Sequence, residues 1–187
     1  MSAIGDIASS NGKGSPAWSG SWTHFSVERR SRSYCRVTFD HPPTNTITAT
    51  MVAELAELVG LIEEDQDLNV VVFDSANRDF FLAHYDADLD RAALHAWVEL
   101  LVRLARAPVV SIASIRGAAR GAGREFVLAC DVRFASRENA ELAQFEAGAR
   151  NRVIADDELD GEVEAIAARL ARFDREAIAR TKSYVDL

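Results

Sequence analysis

The sequence predicts an α/β fold with parallel strands, on three observations. Short apolar runs bounded by polar residues, "NVVVFDS" and "VVSIAS", read as strands buried on both faces. Amphipathic helical stretches alternate with them. The chain has 187 residues, 48% apolar and 27% charged, which suits one domain that can bury a core.

The elements follow in order. Residues 1–20 are rich in Ser, Gly and Ala without an apolar period, and read as a disordered tail. Residues 21–187 read as a single domain, with a core to about 148 and a shortened helical segment over 150–187. Trp18 and Trp22 mark the start of the fold, and "ERRSR" reads as a solvated hairpin edge. Tyr34–Asp40 alternates as a half-buried strand, and "HPPTN" is a turn. Met51, Val52, Leu55, Leu58, Val59 and Ile62 form the apolar face of a helix. "NRDFFLAHYDADLD" reads as a loop. Leu94, Trp97, Val98, Leu101 and Leu104 form the face of a second helix, which Pro108 ends. "VRFAS" is a further strand. Leu159, Val163, Ile166, Ala167 and Leu170 mark a late helix, and Ile178, Thr181 and Tyr184 a weaker one.

Charge narrows the partners. Lys and Arg number 21 against 29 Asp and Glu, a net charge of −8, which argues against nucleic acid. A small polyanion is not excluded, because a local field can oppose the net charge. No stretch approaches the ~18 apolar residues of a membrane span. No secretory signal is visible, so the cytoplasm is the expected location. Cys35 and Cys130 sit among apolar residues and are expected to be buried thiols. His41, His84 and His95 lack metal-ligand spacing, and no metal is expected.

The chemistry concentrates in "RGAARGAGREFVLACD". Within Gly117–Gly123 every residue but Arg120 is Gly or Ala, and an apolar helix follows. Backbone N–H groups of such a loop can reach a ligand unobstructed. At a helix N-terminus they are unpaired and partly positive, suited to an oxygen that becomes anionic. Glu125 falls in the first helical turn, where a carboxylate can serve as acid or base. A plainer reading also fits: the small residues permit close packing, and Glu125 complements the helix dipole. Glu146 lies twenty-one residues on, where a loop would return to the same end of the sheet. By itself it reads as a surface acid. Arg116, Arg120 and Arg124 could face phosphates or simply be solvated.

"PVVSIASIRGAARGAGREFVLACDVRFASRENAELAQFE" resembles the crotonase, or enoyl-CoA hydratase/isomerase, superfamily. The resemblance rests on Gly121-Ala122-Gly123-Arg124-Glu125, Cys130-Asp131 and Gln144-Phe145-Glu146. Upstream it extends through Phe81, Ala83 and Asp86. It implies a crotonase-like ββα spiral core with C-terminal helices, partly deleted. It also implies an acyl-CoA substrate, with no separate cofactor. Its oxyanion hole would use N–H groups of Ala122 and Tyr85, with Ala87 an alternative to Tyr85, and Ala83 and Asp86 would lie in the substrate-binding loop. Two glutamates, Glu125 and Glu146, would add water across an α,β-unsaturated thioester. A homo-oligomer, a trimer or hexamer, is the implied assembly.

The chain departs from the family pattern after Glu146, where several tens of expected residues are missing. Ala122 replaces a glycine, and His84 and Tyr85 replace a Gly-Ala pair. The expected function is an enoyl-CoA hydratase-like lyase. The alternatives are an enoyl-CoA isomerase, or a weakly catalytic homologue acting in binding or assembly.

Overall fold

A computed structural model of the chain describes Trp18 and residues 22–141 and 151–185. Its main sheet has six strands: β1 (Phe25–Ser31), β2 (Tyr34–Phe39), β3 (Val70–Ser75), β5 (Val110–Ile115), β7 (Val132–Ser136) and β8 (Asn151–Ile154). Their spatial order is β1-β2-β3-β5-β7-β8. β1 and β2 form an antiparallel hairpin, and every later pairing is parallel. A second, two-stranded parallel sheet joins β4 (Phe80–Leu82) to β6 (Ala118–Ala119). The helices are α1 (Ala49–Glu64), α2 (Arg91–Arg106), α3 (Ala122–Ala129), α4 (Leu159–Leu170) and α5 (Arg175–Val185).

The apolar strands are continuous because both faces of the sheet are covered. On β3, Val71 and Phe73 join one core with α1, α2 and α3. Val70 and Val72 point the other way, into a second core with Leu159, Val163 and Ala167 of α4. The same alternation splits Ala113 from Ile112 on β5 and Ala135 from Phe134 on β7.

The six expected apolar residues of α1 are its buried residues, and Thr48 caps the helix by accepting from Met51 N at 3.1 Å. α2 is rotated from the expected phase. Its buried residues are Trp97, Leu100 and Leu104, whereas Val98 is 58% exposed and Leu94 is also exposed. Trp97 remains inward, as expected, and packs toward Phe126 of α3, while Leu100 replaces Leu94 and Val98 in the buried face. Three short strands contradict the sequence reading. β4 lies in the expected loop, β6 in the glycine-rich stretch, and β8 at the head of the closing segment. Each has four residues or fewer, too few to show an apolar period. Cys35 and Cys130 are buried free thiols, and burial pushes Cys35 up to about 12.

The expected N-terminal tail lies outside the described residues, apart from Trp18. Trp18 donates its indole N–H to Asp65 at 2.9 Å. Asp65 is 1% exposed and also accepts from Arg29 and from the N–H groups of Asp67 and Leu68. Burial alone would raise its pKa, but these donors, led by Arg29, outweigh it and hold the carboxyl below its usual range. Its stabilising effect is therefore present above the unfolded value of about 3.9 and fades as pH falls through the lower folded value. Asp65→Asn should be less stable than the parent at pH 7. The difference should shrink as the pH is lowered below ~4, as measured by urea denaturation at each pH. An equal difference at all pH values would mean that the charge of Asp65 is immaterial.

Candidate active site

The site is built where the glycine-rich loop meets β4. Ala118 N donates to Asp79 O at 2.8 Å, Arg120 N to Leu82 O at 3.3 Å, and Gly123 N to Ala83 O at 3.1 Å. The two backbones approach too closely for side chains. A Cβ on Gly117 would lie 2.3 Å from the Asp79 carbonyl carbon, and one on Gly123 would lie 2.1 Å from Leu82 O. Gly121 has φ +53°, and a Cβ there would also meet the His84 ring. The glycines are thus required by contact, and they set the start of α3.

The first turn of α3 has no side-chain cap. Arg124 and Glu125 donate their N–H groups to Gly121 O, and Gly123 donates to Ala83 O. The N–H of Ala122 has no backbone partner among the described residues. Tyr85 sits at an isolated parallel bridge with Ile47. That bridge uses His84 O and Asp86 N, which flank Tyr85. The N–H of Tyr85 points away from it and has no backbone partner among the described residues. Ala83 is different: its N–H bonds Asn45 O and its C=O accepts from Gly123, so both groups serve the fold. Asp86 is exposed, its N–H bonds Ile47 O, and its carboxylate accepts from Asp88 N. Ala87 is exposed.

Glu125 projects from the first turn of α3 and is exposed. Its Oε2 accepts two hydrogen bonds, from Tyr85 Oη at 2.6 Å and Trp97 Nε1 at 2.9 Å. Burial, then the adjoining carboxylate, pushes the Tyr85 phenol up, so it stays a neutral donor. The sequence reading placed Trp97 only on an apolar face. The usable signal was chemical: a buried indole N–H needs an acceptor. Glu146 lies outside the described residues.

At the far end of α3, the Arg133 guanidinium bonds the carbonyls of Val127 and Cys130 at 3.2 and 2.7 Å, closing the helix with a cation. Asp131 accepts from Ser111 and from Lys182 of α5. Two of the three loop arginines have protein partners: Arg116 pairs with Asp156 and Asp160, and Arg120 with Glu141. Arg124 is exposed.

Residues 29–149, well over half of the chain, match the profile of the Enoyl-CoA hydratase/isomerase family. The chain belongs to that family. A mouse (Mus musculus) protein named Enoyl-CoA hydratase domain-containing protein 2, mitochondrial, is 35% identical over 102 residues. That match covers 49% of this chain but only 34% of the mouse protein. A Streptomyces avermitilis structure, described provisionally as an enoyl-CoA hydratase, superposes with a TM-score of 0.79 at 30% identity. It covers 90% of this chain and 79% of that one. Pseudomonas aeruginosa DspI gives a TM-score of 0.77 at 26% identity, covering 90% and 89%. The enoyl-CoA hydratase/isomerase fold expected from the sequence is thus the fold of this chain.

Two glycine substitutions separate contact from propensity. Gly123→Ala should cost about 1–3 kcal/mol or more, because the new methyl group meets backbone. Gly161→Ala in α4, where a Cβ meets nothing within 4 Å, should stabilise by about 0.4–1 kcal/mol. Chemical denaturation of both variants checks this. Similar effects at the two positions would refute the close approach at Gly123.

Proposed function

We propose that the chain acts on acyl-CoA thioesters, as an enoyl-CoA hydratase-like lyase. The observation that carries this reading is the pair of N–H groups, Ala122 and Tyr85, without a backbone partner among the described residues, on the two residues whose segments also bring Glu125 and the Tyr85 hydroxyl together. Donors of this kind stabilise an oxygen on which charge develops during reaction. The thioester oxygen would take that position. Water would add its oxygen to the β-carbon, and a proton would reach the α-carbon. The charge passes through the thioester oxygen in between.

In this reading Glu125 and Glu146 share the proton transfers. Oε1 of Glu125 is the atom available to water or substrate, since both donors among the described residues bond Oε2. Family membership and the likeness to solved structures support the substrate class. An isomerase would use the same oxyanion site with one acid.

Glu125→Gln and Glu146→Gln should each lower turnover of a short enoyl-CoA by about 10²–10⁴-fold. Acting as a unit, the pair should lose far less on double substitution than the product of the single losses. Loss of the conjugated thioester absorbance follows hydration, and product analysis separates it from double-bond migration. A folded parent that binds acyl-CoA without either reaction would overturn the proposal in favour of a binding role.

Ala122→Pro tests the amide. Proline is accommodated at the first position of a helix but lacks the N–H. A loss of about 10²–10³-fold in turnover is expected. Parent-like turnover in this variant would remove Ala122 from the oxyanion site.

A further inference from the structure

We propose that Tyr85 and Trp97 are positioning residues for Glu125, pinning one carboxylate oxygen so that proton transfer is confined to the other; this role rests on the acyl-CoA chemistry proposed above. Both donors converge on Oε2, from Tyr85 at 2.6 Å and Trp97 at 2.9 Å. No donor reaches Oε1 among the described residues.

The chemistry of the two donors makes the arrangement directional. An indole N–H only donates, so Trp97 can never take a proton from Glu125. The Tyr85 phenol can donate to the carboxylate, and its raised pKa keeps its own proton in place. With two donors on it, Oε2 is a fixed acceptor. Protons are taken and given at Oε1.

Geometry supplies the rigidity. Trp97 is fully buried, and its ring packs on Phe126 at 6.1 Å and edge-on to Tyr85 at 6.2 Å. Glu125 stands on an exposed part of α3, where a glutamate would otherwise sample several rotamers. The two bonds fix its carboxylate relative to the loop that carries Ala122. A displacement of about 1 Å at such a group can cost about 10²-fold in rate.

The contact is read first without activity. The chain has 3 tryptophans, so the indole region of a ¹⁵N–¹H spectrum should give one resonance from each. The resonance missing in Trp97→Phe should move in Glu125→Ala, while the other two stay in place. The role is then read by kinetics. Tyr85→Phe removes one hydroxyl from a half-buried ring and keeps the backbone N–H. It should lower kcat by roughly 10–100-fold with KM within about twofold, as expected for a misplaced group rather than lost binding. Trp97→Phe should do the same, and Tyr85→Phe carries the test if that variant does not fold. An active parent with unchanged kcat in Tyr85→Phe overturns the positioning role and leaves the acyl-CoA reading standing. An indole resonance indifferent to Glu125→Ala also overturns it. An unmodified chain without turnover defeats the acyl-CoA reading, and this role falls with it.

Discussion

The contact between two bare stretches of backbone governs this structure. Residues 117–123 lie against 79–83 with no room for a Cβ at Gly117 or Gly123. Hydrogen bonds from Ala118, Arg120 and Gly123, together with the β4–β6 pairing, hold the contact. It places the described groups of the candidate site. It sets where α3 begins, and so which N–H groups are left over from the first turn. It brings β4 beside that turn, so that Tyr85, three residues past the end of β4, faces Glu125. A loop with ordinary side chains would stand farther from β4 and separate these groups.

The aromatic core beneath the loop extends the same constraint. Phe126 of α3 packs edge-on to Phe39 and Phe73, at ring separations of 5.5 and 5.0 Å. Trp97 closes this cluster on the side of α2. Such pairs add about 0.5–1.5 kcal/mol beyond their area. Burying the indole also creates a demand, because an N–H left unpaired costs about 1–3 kcal/mol. Glu125 meets that demand. The core and the site therefore share one hydrogen bond, and a change to either is felt by both.

What the sequence showed and what it hid divide along physical lines. Long elements with a clear period, such as α1 and β3, were legible because burial repeats along them. β4, β6 and β8 were hidden because two to four residues carry no period, and their pairing is a tertiary fact. The start of α3, with Glu125 in its first turn, was legible from small residues running into an apolar helix. The resemblance pointed to Tyr85 for its backbone N–H, whereas its hydroxyl, which bonds Glu125, left no mark in the sequence. Trp97 was hidden because its meeting with Glu125, 28 residues away, depends on the rotation of α2. An apolar helical face fixes that rotation only to within a neighbouring residue or so. Here the phase differed enough to expose Val98.

The arginines around the loop show how a chain of net charge −8 arranges its site. Arg116 and Arg120 are held by acids of the same chain, so their charge is largely offset where they stand. Arg116 reaches across to Asp156 and Asp160, at the start of the closing segment, and so ties α4 to the loop. Lys182 of α5 does the same at the other end of α3 through Asp131. The closing helices thus hold the segments before and after α3 by ion pairs, while α4 packs in the second core on the other face of the sheet. With Arg116 and Arg120 committed to ion pairs, the groups that residues 117–123 leave without a backbone partner among the described residues include the Ala122 amide. Amides fixed by packing need no reorganisation when charge appears on a nearby oxygen, whereas a mobile arginine must first be ordered. The pairing of Arg116 and Arg120 with acids and the amides without a backbone partner among the described residues therefore belong to one arrangement: ion pairs hold the scaffold, and in the proposed function the backbone dipoles would meet the ligand.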